Sequence, residues 1–598
     1  MAANILDRLL TQIEASRYRF GSREAAGVVK LLSKLDAVQF NDSASLIRFH
    51  ETLLFLRAFP QGPSVVRATE RILNKFHTKI EALRKAGADM EDFDTYEFSG
   101  IAGTQMEDTL SFDVARWLVK RMPSQVEIAW DNYEPGRELG TTGPRFIPLL
   151  EDDANVEADT PFRRWMKAAS GKNKKNAAWL AAWLIERFEQ LPLPPQRKAE
   201  LYESLRVPLR WNLKNSAITR TRNIKKARSI FYHDVFYHSA PLISRSQISL
   251  AGELAKCPPK LTKLSRQRGE EIIDLIREVM LVRYRELYGT TLGDPNSVVR
   301  ADLGTHEGGR GVEIYLWNLP PDRRLPLRAY VAGLTLKNGV PINYIEAIGL
   351  CEWMEVGFNT FYTFRGGEAG WIYAQVLRCL CHHMGTTCVS VYPYQLGHDN
   401  DEAIESGAFW FYRKLGFRPG RADLQKLAEQ EEKKIAASQN KKTKYRTSAR
   451  TLKRLAAGHV FYDFLKNDLL KNELPGSEVG AWDNFSTRNI GLRVNRRMAR
   501  DFGGDANRMR EYSTRALEKI LGVATSSWTP LEQAAFENFA LVFSQLPEFR
   551  TWTQKEKEDL LQIIRAKTKP DEMLYLHLTQ RHPRLRKALL ALGDDARR

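Results

Sequence analysis

Apolar residues recur along this chain at two spacings, and the switch between them divides it into three zones. Ile5, Leu6, Leu9, Leu10 and Ile13 form one stripe at helical spacing, and Val28, Val29, Leu31, Leu32 and Leu35 form the next. Asn41-Asp42-Ser43 supplies a cap before a third stripe of Leu46, Ile47, Leu53, Leu54 and Leu56, and Gly62-Pro63 turns the chain into a further helix ending near Ala86. Helical spacing returns over 161–166 and 177–190, closed by the proline-rich run 191–195, and again over 264–288. Strands are then predicted over 312–317, 328–336 and 342–350, with Asn338-Gly339 as a hairpin turn.

The stretch from Trp353 to Phe417 organises the middle zone. Val356, Phe358, Thr360, Tyr362 and Phe364 alternate along one strand face, and Arg365-Gly366-Gly367-Glu368-Ala369-Gly370 breaks that pattern. An apolar helix over 371–384, a strand over 387–394 and an amphipathic helix follow. The helix is long enough to connect two parallel strands. The predicted fold class is therefore α/β: a mixed central sheet with flanking helices, between largely α-helical N- and C-terminal regions. The corresponding divisions are a helical module (1–86), a mixed, partly acidic region (87–195), a basic connector (196–262), the α/β domain (263–424), and a basic arm with terminal helices (425–598). In the last, Thr529-Pro530-Leu531-Glu532 spells a capping box ahead of Phe536, Phe539, Val542 and Phe543.

At 598 residues several cores are expected, and 43% hydrophobic with 27% charged residues excludes disorder on a large scale. No apolar run of about 18 residues predicts a membrane span, and residues 1–20 read as an amphipathic helix with Asp7, Arg8 and Glu14 in it. Five cysteines, an odd number in a large chain, point to a reducing cytoplasm. The net charge of +18 invites an anionic partner. Two segments concentrate it. One holds Arg220, Arg222, Lys225, Lys226 and Arg228 among aromatic residues, and the other holds Lys441, Lys442 and Lys444. Both are candidate nucleic-acid contacts, with a basic cover over acidic neighbours and a solvated linker as the plainer readings. Cys379-x-Cys381-His382-His383 has no second pair at zinc spacing, so no metal is expected.

The end of the middle zone, SGAFWFYRKLGFRP, places Ala408, Tyr412, Gly416 and Phe417 in a register that resembles the GNAT superfamily of N-acetyltransferases. The resemblance implies an acyl-CoA donor (acetyl-CoA or another acyl-CoA) and an amine acceptor, small molecule or protein. It implies that Arg365, Gly366, Gly367, Ala369 and Gly370 hold the donor's pyrophosphate at a helix N-terminus. Tyr412 would be the general acid for the leaving thiolate, and Glu355 or Glu346 the general base. Two departures stand out. Glu368 replaces the family's central glycine, where its carboxylate is expected to satisfy the helix end itself and to repel phosphate by roughly 1–4 kcal/mol. Glu405 stands where asparagine usually meets the pantetheine arm. Two alternatives follow: a GNAT-fold protein that uses aminoacyl-tRNA in place of CoA, and a catalytically lapsed nucleic-acid-binding or scaffold protein.

Overall fold

The computed structural model describes residues 2–132, 164, 168, 177–214, 218–222, 235–286, 289–303, 309–440, 443–464, 480–483, 485–546 and 549–594. Three strands, β1 (Gln105–Thr109), β2 (Val126–Ile128) and β3 (Pro208–Asn212), make a small antiparallel sheet in the order β1-β3-β2. The larger sheet contains β4 (Leu261–Lys263), β5 (Val299–Asp302), β6 (Val312–Asn318), β7 (Ala329–Lys337), β8 (Val340–Leu350), β9 (Trp353–Thr360), β10 (Cys388–Val391), β11 (Arg418–Pro419) and β12 (Val460–Asp463). Its order is β4-β5-β6-β7-β8-β9-β10-β12-β11, and β9–β10 is its parallel pair. The mixed α/β fold with helical regions at both ends is thus observed, and no described helix is long and apolar enough to cross a membrane.

The predicted hairpin forms where Asn338 and Gly339 both adopt positive φ, +50° and +76°, as a two-residue turn between right-twisted strands requires. Every residue of β7 is buried because both faces of the sheet are covered. The N-terminal module contributes the helix Ser43–Ala58, capped by the Asp42 carboxylate on the Ser45 N–H at 2.7 Å. From the other end of the chain, helix Glu572–Gln580 packs on β7 and β8. There Gln580 Nε2 donates to the carbonyls of Cys351 (2.9 Å) and Met384 (2.8 Å). The capping box at Thr529 and Glu532 forms as its sequence predicts.

Three expectations from periodicity are corrected. Alternation to Phe364 predicts one long strand, but β9 stops at Thr360 and Tyr362–Phe364 is a 3-10 turn that leaves Tyr362 54% exposed. The strand expected over 387–394 ends at Val391, because Pro393 has no N–H for a ladder and opens a helical turn, Pro393–Leu396. The final amphipathic helix is broken at Gly407, which takes φ +69° between Asp401–Ser406 and Ala408–Lys414.

Candidate functional site

The early end of β10 opens a cleft beside β9. β9 and β10 are paired over three residues, the last being Glu355 opposite Ser390. β9 then continues to Thr360 along β8, while the chain after β10 turns away through Pro393–Leu396. The opening holds a cavity of about 490 Å³. Tyr344 and Asn359 line it from one face of the sheet, and Phe358 and Tyr412 from the other, so the cavity passes through the sheet. Tyr394 and Gln395 form the wall that a longer β10 would have occupied. Asn359 Nδ2 donates to the hydroxyls of Tyr284 and Tyr344, each at 3.2 Å, which fixes the polar side of the cleft.

Arg365 and Ala369 stand at one end of this cavity, at the start of helix Ala369–Met384. Helix starts leave N–H groups without intrahelical partners. Gly367 N–H bonds to the Phe364 carbonyl and Ile372 N–H to that of Glu368, both at 2.9 Å. Between them the N–H groups of Glu368, Ala369, Gly370 and Trp371 meet no acceptor among the described residues. Glu368, Gly370 and Trp371 are buried and Ala369 is half-buried, a setting in which a backbone donor normally finds an acceptor.

Glu368 does not cap this helix, which corrects the expectation from its position. Its fully buried carboxylate turns the other way, to Arg310, to Lys337 Nζ at 3.3 Å, and to the Ile243 N–H at 3.1 Å. Burial raises its pKa, but Lys337 and Arg310 outweigh burial and hold it below the usual carboxylate range. Lys337 is the reciprocal case: burial lowers its ammonium to about 8 against the opposing pull of Glu368. The two partners account for a carboxylate in a glycine-rich loop, and they leave the helix end open. Glu405, the second expected obstacle, is exposed and does not line the cavity; Glu402, one turn earlier, does. Glu402 pairs with Arg365 Nη2 at 2.6 Å, and Arg365 Nε donates to the Thr360 carbonyl at 3.2 Å.

The glycines of the bend are positions of close approach. The Tyr18 hydroxyl occupies the space a side chain at Gly366 would need, and a Cβ on Gly367 would lie 2.6 Å from Phe59 Cζ. Arg245 and Ile248 crowd Gly370 in the same way. The bend is therefore clasped from outside by the N-terminal module and by the segment before helix Leu250–Leu254.

Tyr412 is 4% exposed, packed 5.7 Å from the rings of Tyr373 and Phe417, and burial pushes its pKa up, so the hydroxyl stays protonated. That hydroxyl has no hydrogen-bond partner among the described residues. The two expected bases differ. Glu355 meets His459 Nε2 at 3.0 Å, Arg488 at 3.6 Å and Arg328 at 3.9 Å, and these partners outweigh burial to lower its pKa. Glu346 lies opposite Gly357, two residues from Asn359 on the same face, and accepts from the Tyr330 hydroxyl through Oε1. Gln395 of the cavity wall approaches Gly357, with Nε2 about 3.7 Å from where a Cβ would be. Glu346 is thus the carboxylate beside the cleft, and Glu355 is held in an ion cluster where the strands are still paired.

The basic segments fare unevenly. Arg220 is 5% exposed, donates to the Glu97 carbonyl and pairs with Glu51 at 3.5 Å, so it is an internal tie and cannot meet a nucleic acid. It belongs to a buried network in which His50 bridges Glu51 (2.9 Å) and Thr221 (2.8 Å). Arg222 forms a turn through its N–H on Thr219 Oγ1 at 2.9 Å. Lys444 is exposed; Lys225, Lys226, Arg228, Lys441 and Lys442 lie outside the described residues.

Periodicity gave no sign of Tyr284, Tyr344, Asn359, Gln395 or Glu402. Polar residues sharing one face of β8 and β9 (Tyr344 and Glu346, Glu355 and Asn359) were the available signal for an open face. Among the described residues, no three His, Cys, Asp or Glu side chains converge on a metal position. No protein family, no curated protein and no solved structure was found to match this chain.

Proposed function

We propose that this chain is an acyl-CoA-dependent N-acyltransferase of the GNAT type. The observation that carries the reading is the start of helix Ala369–Met384, where the N–H groups from Glu368 to Trp371 have no acceptor among the described residues and Ala369 lines the cleft. Such donors suit a phosphate oxygen, with the helix dipole adding to the attraction. Arg365 would add charge once released from Glu402. The donor supplies a thioester carbonyl; the cleft between β9 and Tyr394–Gln395 admits its narrow arm.

In this reading Glu346 Oε2 takes a proton from the acceptor amine, while Tyr330 holds Oε1 in place. The amine nitrogen bonds to the carbonyl carbon and the carbon–sulfur bond breaks. Tyr412, its proton retained by burial, donates to the leaving sulfur. Asn359 and the two tyrosines it joins keep the acceptor side polar without adding a charge.

Acetyl-CoA at 100 times its Kd should raise the unfolding free energy by about 2.7 kcal/mol, seen as a higher Tm. Absence of any shift with millimolar acetyl-CoA and longer acyl-CoA would remove this reading and leave transfer from an aminoacyl donor as the successor. Once an acceptor is in hand, Tyr412→Phe and Glu346→Gln should each lower kcat by about 10²- to 10⁴-fold. Glu355→Gln should act chiefly on stability.

A further inference from the structure

The C-terminal helices carry a second concave surface, far along the chain from the cleft and of opposite character. On helix Ala506–Leu521 the buried face is Met509, Ser513, Leu517 and Leu521. Arg508, Tyr512, Arg515 and Lys519 follow one another on the adjacent exposed face at three- and four-residue steps. Lys557, from helix Gln554–Ala566, and Arg550 complete a groove of about 820 Å³. Five cations thus line one groove, against one carboxylate, Glu511, which sits 3.7 Å from Arg515 in an exposed pair. Arg508, Lys519, Arg550 and Lys557 form no ion pair among the described residues.

Tyr512 is the other unusual feature. It is 57% exposed, among the most exposed large hydrophobic residues described, yet it is held in place by Phe502 at 5.5 Å and by the Arg497 guanidinium at 5.9 Å. An anchored aromatic ring at the centre of a row of cations, most of them without an ion pair among the described residues, is the arrangement that stacks one base while neighbouring phosphates are neutralised. A groove disfavours a flat lipid surface, and an acidic peptide would give the ring nothing to stack on. Along the helix, Arg508 and Lys519 are separated by about 16 Å at 1.5 Å per residue, a span of a few nucleotides.

We infer that this groove binds single-stranded RNA or DNA through its backbone, with a base stacked on Tyr512. It is a different surface from the two basic segments that sequence alone brings forward, and it does not depend on the acyltransfer reading.

Fluorescence anisotropy of the full chain with a labelled oligo-uridylate of about 12 nucleotides, across a salt series, tests this. If the five groove cations meet phosphates, log Kd should rise with log salt with a slope of about 3.5. Lys519→Ala with Lys557→Ala should lower that slope by about 1.4 and weaken binding at least tenfold at low salt. Tyr512→Ala should weaken binding about tenfold and leave the slope unchanged, because stacking carries no counterion. All three residues lie at the surface, and unchanged Tm values will show that the variants fold. No binding at 50 mM salt overturns the inference. So does binding that the lysine pair leaves intact, which would place the contact elsewhere. Loss with the lysine pair but none with Tyr512→Ala, matched by equal capture of heparin or of phosphatidylserine vesicles, overturns it as well, since the groove would then be a general polyanion surface.

Discussion

Glu368 shows how far one residue's role depends on which way it points. Its position in the chain makes it an obstacle to phosphate, whereas its orientation makes it the counter-ion of a buried lysine. Replacing Glu368 by glycine would bring the loop closer to the pattern it resembles but strands Lys337, fully buried, without its carboxylate. Removing one partner of such a pair typically costs about 3–5 kcal/mol, so Glu368→Gly should lower the denaturation midpoint sharply and improve no ligand affinity. Glu402 is the acid with the opposite expectation. Its side chain is 54% exposed and engages Arg365 at the cleft, so Glu402→Gln should leave Tm nearly unchanged and, under the proposed function, tighten acetyl-CoA binding severalfold by isothermal titration. Weaker binding by that variant would mean that Arg365 needs its partner for orientation.

Two imidazoles set an acid limit. Burial holds His238 down at about 3, aided by Lys337 and Arg310, and holds His383 at about 4. An unfolded imidazole titrates near 6.5. Between pH 6.5 and about 4 the unfolded chain therefore binds protons that the folded chain refuses, and stability falls as pH falls, by about 1.4 kcal/mol per pH unit for each histidine. Urea midpoints measured between pH 7.5 and pH 5 should decline accordingly. The decline should be shallower in His238→Asn, by about one proton; an identical slope would show that His238 titrates normally.

At the scale of elements, sequence told most where a local rule is strong. Asn338-Gly339, the Asp42 cap, the Thr529 capping box and the helix after Gly370 all follow from short-range chemistry, and all four appear. The strand ends did not follow, because periodicity continues through Tyr362 and Phe364 while the hydrogen bonds do not. β12 was missed altogether: four residues after a glycine carry little pattern, and they become a strand by pairing antiparallel with both β10 and β11. The cleft was legible only in part. Tyr412 and Arg365, both singled out from the sequence, line it, but its polar side is assembled from residues far apart in the chain, such as Tyr284 and Asn359.

The β7–β8 turn offers the sharpest test of an element. Asn338 Nδ2 donates to the carbonyls of Ala58 (2.8 Å) and Phe236 (3.1 Å), and its Oδ1 accepts the Phe236 N–H (2.8 Å). Its φ of +50° is also one that asparagine tolerates better than alanine. Asn338→Ala combines lost hydrogen bonds with backbone strain and should cost about 2–4 kcal/mol, whereas Asn338→Gly should recover part of that. Equal loss in both variants would assign the whole effect to the side chain.

In the molecule as a whole, the helical regions at the two ends are not appendages. One hydrophobic core runs from Leu6 through the large sheet to Leu592, and a second gathers around the small sheet. Helix Arg266–Tyr284 serves both, with Ile272 to Met280 in the first and Leu281 and Val282 in the second. Amides of Leu54 and Leu576, from opposite ends of the chain, should therefore exchange with deuterium at the same free energy as those of β7. Markedly faster exchange at either would mean that its helices open independently.

The short β10 has one more consequence. A strand flank without a neighbour normally lies at the rim of a sheet, where proteins blunt it against stray pairing. Here β9 has such a flank in the interior, beyond Glu355, walled by Tyr394 and Gln395. A rim would accept any extended polypeptide; under the proposed function, a walled flank would accept one slender, unbranched chain whose amide groups stand in for the missing rungs. Under that proposal, a β10 only four residues long would turn an unfinished ladder into a gauge of ligand width.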